Sequence, residues 1–134
     1  MTLDIPSFRV LLVDDMAGLR KLVRLTLESS DRFIVVGEAG DGVEAIERAR
    51  DLTPDVVLLD LSMPRMDGLE ALPLILDASP GSKVIVLTGF ESERIASTAV
   101  SRGAIACLEK GITPVELVDS LLELLEAKPL RDSG

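Results

Sequence analysis

Histidine, tryptophan and tyrosine are absent from the 134-residue chain, and cysteine occurs once, at Cys107. Without His no imidazole-based triad can form, one thiol cannot build a metal cage, and without Trp or Tyr there is no row of platforms on which nucleic acid bases could stack. Positive charge is also scarce: 14 Lys and Arg stand against 23 Asp and Glu, a net charge of -9 with a pI near 4.5. That sign is wrong for tracking a phosphate backbone, so no direct nucleic acid binding is expected. No apolar run approaches the roughly 18 residues of a membrane helix, and the opening MTLDIPSFRV lacks the basic start and apolar block of a signal peptide. A cytoplasmic location, away from membranes, is the expectation. Chemistry is left to carboxylates, hydroxyls and lysine.

What is present is a strict alternation. Short β-branched blocks at 9–13, 33–39, 56–59, 84–87 and 105–108 read as strands. Between them run helical patterns. Leu19, Leu22, Val23, Thr26 and Leu27 follow the i, i+3, i+4, i+7, i+8 rule, and similar stripes cover 42–52, 69–78, 92–102 and 114–127. Thr53-Pro54, Pro80-Gly81 and Gly103 supply stops, and Thr113, Pro114 and Glu116 form an N-cap, first-position proline and capping box. Pro73 is awkward inside the third helix, which should start late or kink there. The length suits one domain over 1–127, with 128–134 a flexible tail or the start of a linker. Alternating strands and helices on short connections imply an α/β fold, a doubly wound parallel sheet with helices on both faces.

Ligands in such folds sit beyond the carboxyl ends of the strands. There the first strand carries Asp14 and Asp15, the third Asp60, the fourth Thr88, and the fifth runs into Glu109 and Lys110. Each alone has an ordinary explanation: aspartates after strands serve as turn or cap residues, Thr88 fits β propensity, Lys110 a solvated surface, Cys107 a small core hydrophobe. Together they are harder to dismiss. Asp60 follows four apolar residues, where an unpaired charge would cost several kcal/mol. Gathered carboxylates repel unless a cation joins them, and hard oxygen donors suit Mg²⁺, with Mn²⁺ as a substitute.

These segments, LLVDD, LLDLSMPRMDG, VLTG and GAIACLEKG, resemble the receiver domain of two-component response regulators, from Arg9 to about Ala127. The resemblance implies a flavodoxin-like five-stranded sheet in order 2-1-3-4-5. Asp60 would be the phospho-acceptor, receiving its phosphoryl group from a sensor histidine kinase, a phosphotransfer protein or a small acyl phosphate. Asp15, Asp60 and the backbone carbonyl of Ser62 would hold Mg²⁺, with Asp14 beside them or acting through water, and Thr88 and Lys110 would grip the phosphoryl oxygens. Met63-Pro64 would shape the loop after Asp60, and Asp67-Gly68 would turn it into the third helix. The chain would then be a switch and not an enzyme with an external substrate, catalysing only its own phosphorylation and dephosphorylation. Its output would pass to a partner protein, a C-terminal effector domain or a second copy in a homodimer.

Two departures stand out. The family's aromatic residue three positions before the lysine is here Cys107, and the proline that often follows the lysine is Gly111. The breadth of the apolar stripe on the last helix, from Val115 to Leu125, suggests a partner surface beyond what core packing needs. Two rival classes share parts of the pattern. A haloacid-dehalogenase-like phosphatase would want D-x-D after the first strand, and a flavin carrier would want aromatic residues and no acid beside the phosphate.

Overall fold

The computed structural model describes residues 7–61, 68–89, 93–109 and 111–126. Five strands and five helices alternate: β1 (Phe8–Val13), α1 (Ala17–Glu28), β2 (Phe33–Ala39), α2 (Gly42–Leu52), β3 (Val56–Asp60), α3 (Gly68–Ala78), β4 (Lys83–Thr88), α4 (Glu93–Ser101), β5 (Ala106–Glu109) and α5 (Pro114–Glu126). The strands pair in parallel in the order β2-β1-β3-β4-β5. This is the doubly wound, flavodoxin-like arrangement that the alternation and the resemblance implied.

The strands read as continuous apolar runs because both faces of the sheet are covered. Leu11, Val13, Val57, Leu59, Val84 and Val86 point to one side and meet α2, α3 and α4 through Ala45, Ala49, Ala71, Leu72, Ile75 and Ala99. Their neighbours Val10, Leu12, Val56, Leu58, Ile85 and Leu87 point to the other and meet Leu27 of α1 and Leu117, Leu121 and Leu125 of α5. Period-two alternation along each strand thus feeds two cores.

The punctuation works largely as the residues suggest. Thr53 closes α2 with a left-handed φ of 41°, and Gly103 ends α4 at φ 118°, where only glycine sits without strain. The capping box on α5 is reciprocal: Thr113 N–H donates to Glu116 Oε1 at 3.0 Å and Glu116 N–H to Thr113 Oγ1 at 3.2 Å. Asp41 caps α2 by accepting from Glu44 N–H at 2.9 Å, while Glu44 Oε1 accepts from Gly40 N–H at 2.7 Å.

Three expectations need correction. Of the two alternatives at Pro73, a late start or a kink, the late start does not occur: α3 begins at Gly68 and runs through Pro73. Proline cannot donate to the Leu69 carbonyl four residues back, and the Arg102 guanidinium takes that place, donating from Nη1 at 2.8 Å. The apolar stripe of α1 is narrower than its spacing suggested, since Leu22 is 54% exposed and only Leu27 is fully enclosed. On α5 the broad stripe mostly turns inward. Val118, Leu122 and Leu124 pack partly against the second core, leaving Val115, 70% exposed, as its one largely solvent-facing apolar residue. The expected tail at 128–134 lies outside the described residues.

Candidate functional site

Sheet order and register decide what meets at the carboxyl edge. β1 and β3 are neighbours, and Val13 lies opposite Leu59, so Asp14 and Asp60 continue side by side past the last paired rung. Asp60 lies opposite Leu87, which puts Thr88 one step further out on the other flank of β3. Asp60 is 2% exposed, Asp14 and Thr88 are each 7% exposed, and Asp15 faces solvent.

One carboxylate oxygen from each of Asp14, Asp15 and Asp60 lies within 4.8 Å of the others. Hard, anionic oxygens at that separation suit a small divalent cation, which takes one or two carboxylates and retains waters, so the residues present fit Mg²⁺. The sequence-predicted ligand Ser62 and the predicted phosphoryl-binding Lys110 lie outside the described residues, as do Met63, Pro64, Asp67 and the Lys110-Gly111 peptide. Glu109, the last residue of β5, lies opposite Thr88.

The return of the chain after Asp60 depends on Gly68. Its N–H donates to the Leu61 carbonyl at 2.9 Å, bringing the start of α3 back onto the end of β3. A Cβ there would lie 2.5 Å from the Asp60 carbonyl oxygen and 2.7 Å from Leu61 Cα, so only glycine permits this approach.

On the other side Asp14 is braced by a set of residues that the sequence alone did not single out. Met16 N–H donates to Asp14 Oδ1 at 2.9 Å, and Arg20 Nη1 donates to the Asp14 carbonyl at 2.5 Å. Arg20 Nε also donates to Glu38 Oε1 at 2.7 Å, and Arg24 Nη1 to Glu38 Oε2 at 2.9 Å. The Arg20 hydrogen bond, aided by Arg24 and opposed by burial, holds the Glu38 carboxyl below the usual carboxylate range. The available signal was a glutamate near the carboxyl end of an otherwise apolar β2, and it was faint. Cys107 lies opposite Val86 and packs partly against the α2–α4 core, where burial raises its thiol pKa.

The model of the response regulator receiver domain matches residues 10–122. The chain is 37% identical over 118 residues to the chemotaxis protein CheY of Listeria monocytogenes, covering 88% of this chain and 95% of that one. It is 38% identical over 115 residues to the transcriptional regulatory protein YxjL of Bacillus subtilis, covering 86% of this chain and 53% of that one. It thus spans about half the length of that larger relative. Among solved structures, the signal receiver domain of the response regulator NarL from Mycobacterium tuberculosis superposes with a TM-score of 0.85 at 32% identity, covering 92% of this chain and 99% of that one.

Proposed function

The chain belongs to the response regulator receiver family of two-component signal transduction, and on that premise we propose that it accepts a phosphoryl group on Asp60 and changes its protein partners in response. The observation that carries this reading is a nearly buried Asp60 within 4.8 Å of two further carboxylates at the ends of adjacent parallel strands. Phosphoryl transfer asks the protein for positioning and charge neutralisation more than for covalent help; the strand ends support the first, and a metal held by the carboxylates would supply the second.

Asp14, Asp15, Asp60 and the Ser62 carbonyl would hold Mg²⁺. When bound, the ion neutralises charge on the carboxylates and on the incoming phosphoryl oxygens. An Asp60 carboxylate oxygen attacks phosphorus in line with the leaving group, the imidazole of a phosphohistidine on a sensor kinase or phosphotransfer protein. The P–N bond breaks, its electron pair stays on the imidazole nitrogen, and an acyl phosphate forms on Asp60. Thr88 donates its hydroxyl to one phosphoryl oxygen and Lys110 its ammonium to another. Water later attacks the same phosphorus and displaces the Asp60 carboxylate, the bond from phosphorus to the Asp60 oxygen breaking as inorganic phosphate leaves, so the chain catalyses only its own cycle.

The output is a partner protein, an effector domain joined to the receiver, or a second copy. Coverage of 95% of CheY but 53% of YxjL is compatible with either a free-standing receiver or one part of a DNA-binding regulator. Among the described residues no helix is long and apolar enough to cross a membrane. In this reading the domain works in the cytoplasm on protein surfaces, without direct nucleic acid contact of its own.

The test is incubation with acetyl phosphate followed by intact mass measurement. One phosphoryl group should add to the wild-type chain in Mg²⁺. Addition to Asp60→Asn, or undiminished addition in chelator, would refute the assignment.

A further inference from the structure

We propose that Arg20, oriented by Glu38, is a positioning residue for the Asp14–Asp15 carboxylate pair. This inference rests on the reading of that pair as Mg²⁺ ligands.

The two aspartates lie on the short link between β1 and α1, past the last paired residue of β1 and before the first turn of α1. Their mutual repulsion, and that of Asp60, pushes this link apart in the metal-free protein. Three bonds oppose it. Asp14 N–H donates to the Ala39 carbonyl at 3.0 Å, extending the ladder to β2; Met16 N–H donates to Asp14 Oδ1; and Arg20 Nη1 donates to the Asp14 carbonyl. A fourth bond, from Arg20 N–H to the Met16 carbonyl at 2.9 Å, is the first backbone bond of α1 and does not depend on the arginine side chain.

The charge on Arg20 makes this arrangement specific. A guanidinium beside three carboxylates would ordinarily pair with one of them and compete with a divalent cation. Here its Nε is taken by Glu38 Oε1 at 2.7 Å and its Nη1 by a backbone carbonyl. Glu38 is fixed in turn by Arg24 Nη1 at 2.9 Å. Glu38 therefore holds the cation against the backbone of a ligand residue and away from the ligand oxygens. The planar fork is required, because an ammonium at the end of a lysine cannot make both bonds in the same directions.

Four variants of the full chain test this: Arg20→Gln, Arg20→Lys, Glu38→Gln and the double Arg20→Gln/Glu38→Gln. Mg²⁺ affinity is read by titration calorimetry, Met16 amide exchange by NMR without metal, and stability by urea. Loss of a partner that orients a ligand typically weakens metal binding at least tenfold, so each single variant should bind Mg²⁺ about tenfold more weakly. Met16 exchange should accelerate, and the double should be no worse than the weaker single, since the two side chains act as one unit. Arg20→Lys keeps the charge and folds even if Arg20→Gln does not, and it should show the same loss. Full affinity in Arg20→Lys, losses that multiply in the double, or lower urea midpoints with unchanged affinity and Met16 exchange would each overturn the proposal. A wild-type chain that binds no Mg²⁺ would overturn the functional reading instead, and Met16 exchange would still decide whether Arg20 and Glu38 hold the link.

Discussion

Replacing Asp60 with asparagine should make the metal-free protein more stable while abolishing its proposed function. The substitution keeps the shape of the side chain and removes one charge from a site where Asp60 and Asp14 are both nearly enclosed. With carboxylate oxygens within 4.8 Å of each other, two ionised groups at an effective dielectric near 20 repel by about 3 kcal/mol. Structural relaxation and the hydrogen-bonding capacity that the amide loses reduce the net gain to about 1 to 2 kcal/mol, within the usual range for single substitutions. Burial of the charge acts in the same direction as the repulsion.

Urea unfolding in chelator measures this directly. Far-ultraviolet circular dichroism is the probe of choice, since the chain has no Trp or Tyr. Adding magnesium should then reverse the order: at 100 times its dissociation constant a ligand bound only by the folded state stabilises by about 2.7 kcal/mol, and the variant has lost one ligand carboxylate. If Asp60→Asn were no more stable than wild type in chelator, the three carboxylates would not be in electrostatic conflict, and the argument for a cation at this edge would lose its physical basis.

Stability should also depend on Glu38 in a defined pH window. Its folded pKa lies below the ordinary carboxylate range, so its contribution is complete above that range and is lost as pH falls through the folded value; the difference between wild type and Glu38→Gln in urea midpoint should shrink there. An unchanged difference in acid would argue against the pairing. Gly68→Ala should cost about 1 to 3 kcal/mol, because the new methyl meets Asp60 and Leu61 backbone at 2.5 and 2.7 Å; a neutral result would mean that the turn after Asp60 can widen freely. Pro73→Ala should stabilise by about 1 to 3 kcal/mol, restoring an N–H to the Leu69 carbonyl at an exposed position, and a lower urea midpoint would contradict this. With beryllium fluoride as a phosphate mimic, amide exchange should slow mainly around 61–68 and after Thr88. Equal protection across 99–108 would show that the signal crosses to α4 and β5 without an aromatic side chain.

Strand and helix identities were legible because both faces of the sheet are buried, and the chain announces this with unbroken apolar blocks of strand length. β3 shows the limit of that signal. Its apolar run ends at Leu59, yet the strand extends to Asp60, because ladder pairing continues opposite Leu87 whatever the polarity of the side chain. The acidic edge was legible for a related reason: parallel strands place every carboxyl end at one side, so Asp14, Asp60 and Thr88 needed only their positions in sequence to be brought together. The brace on Asp14 was not legible. Glu38 reaches Arg20 and Arg24 because β2 lies beside β1 and α1 packs against both, a three-element coincidence that no local pattern encodes. Pro73 misled for a similar reason, since the donor that completes its helix comes from Arg102, distant in sequence.

That same bond bears on how far a change at Asp60 can travel. An aromatic side chain at position 107 would bury about 150 to 250 Å², worth about 4 to 6 kcal/mol at 25 cal/mol per Å², and could report a moved Thr88 strongly across the α4 face. Cys107 offers a small fraction of that area and is only partly enclosed. The segment after Asp60 meets α4 through the core that Leu61 shares with Ile95 and Ala99, and through one polar link: Leu61 accepts from Gly68, and the next residue, Leu69, accepts from the Arg102 guanidinium just past α4. A hydrogen bond from a charged donor contributes about 1.5 to 3 kcal/mol when shielded, and Arg102 is exposed, so this link falls at or below the low end. Coupling between sites cannot exceed the difference in contact free energy between the two states that carry it. By itself that hydrogen bond can bias α4 by no more than a few-fold, so any larger response of α4 has to travel through the packing of the shared core. A phosphoryl group on Asp60 is therefore expected to act first where the charge would change, at the edge formed by β1, β3 and β4.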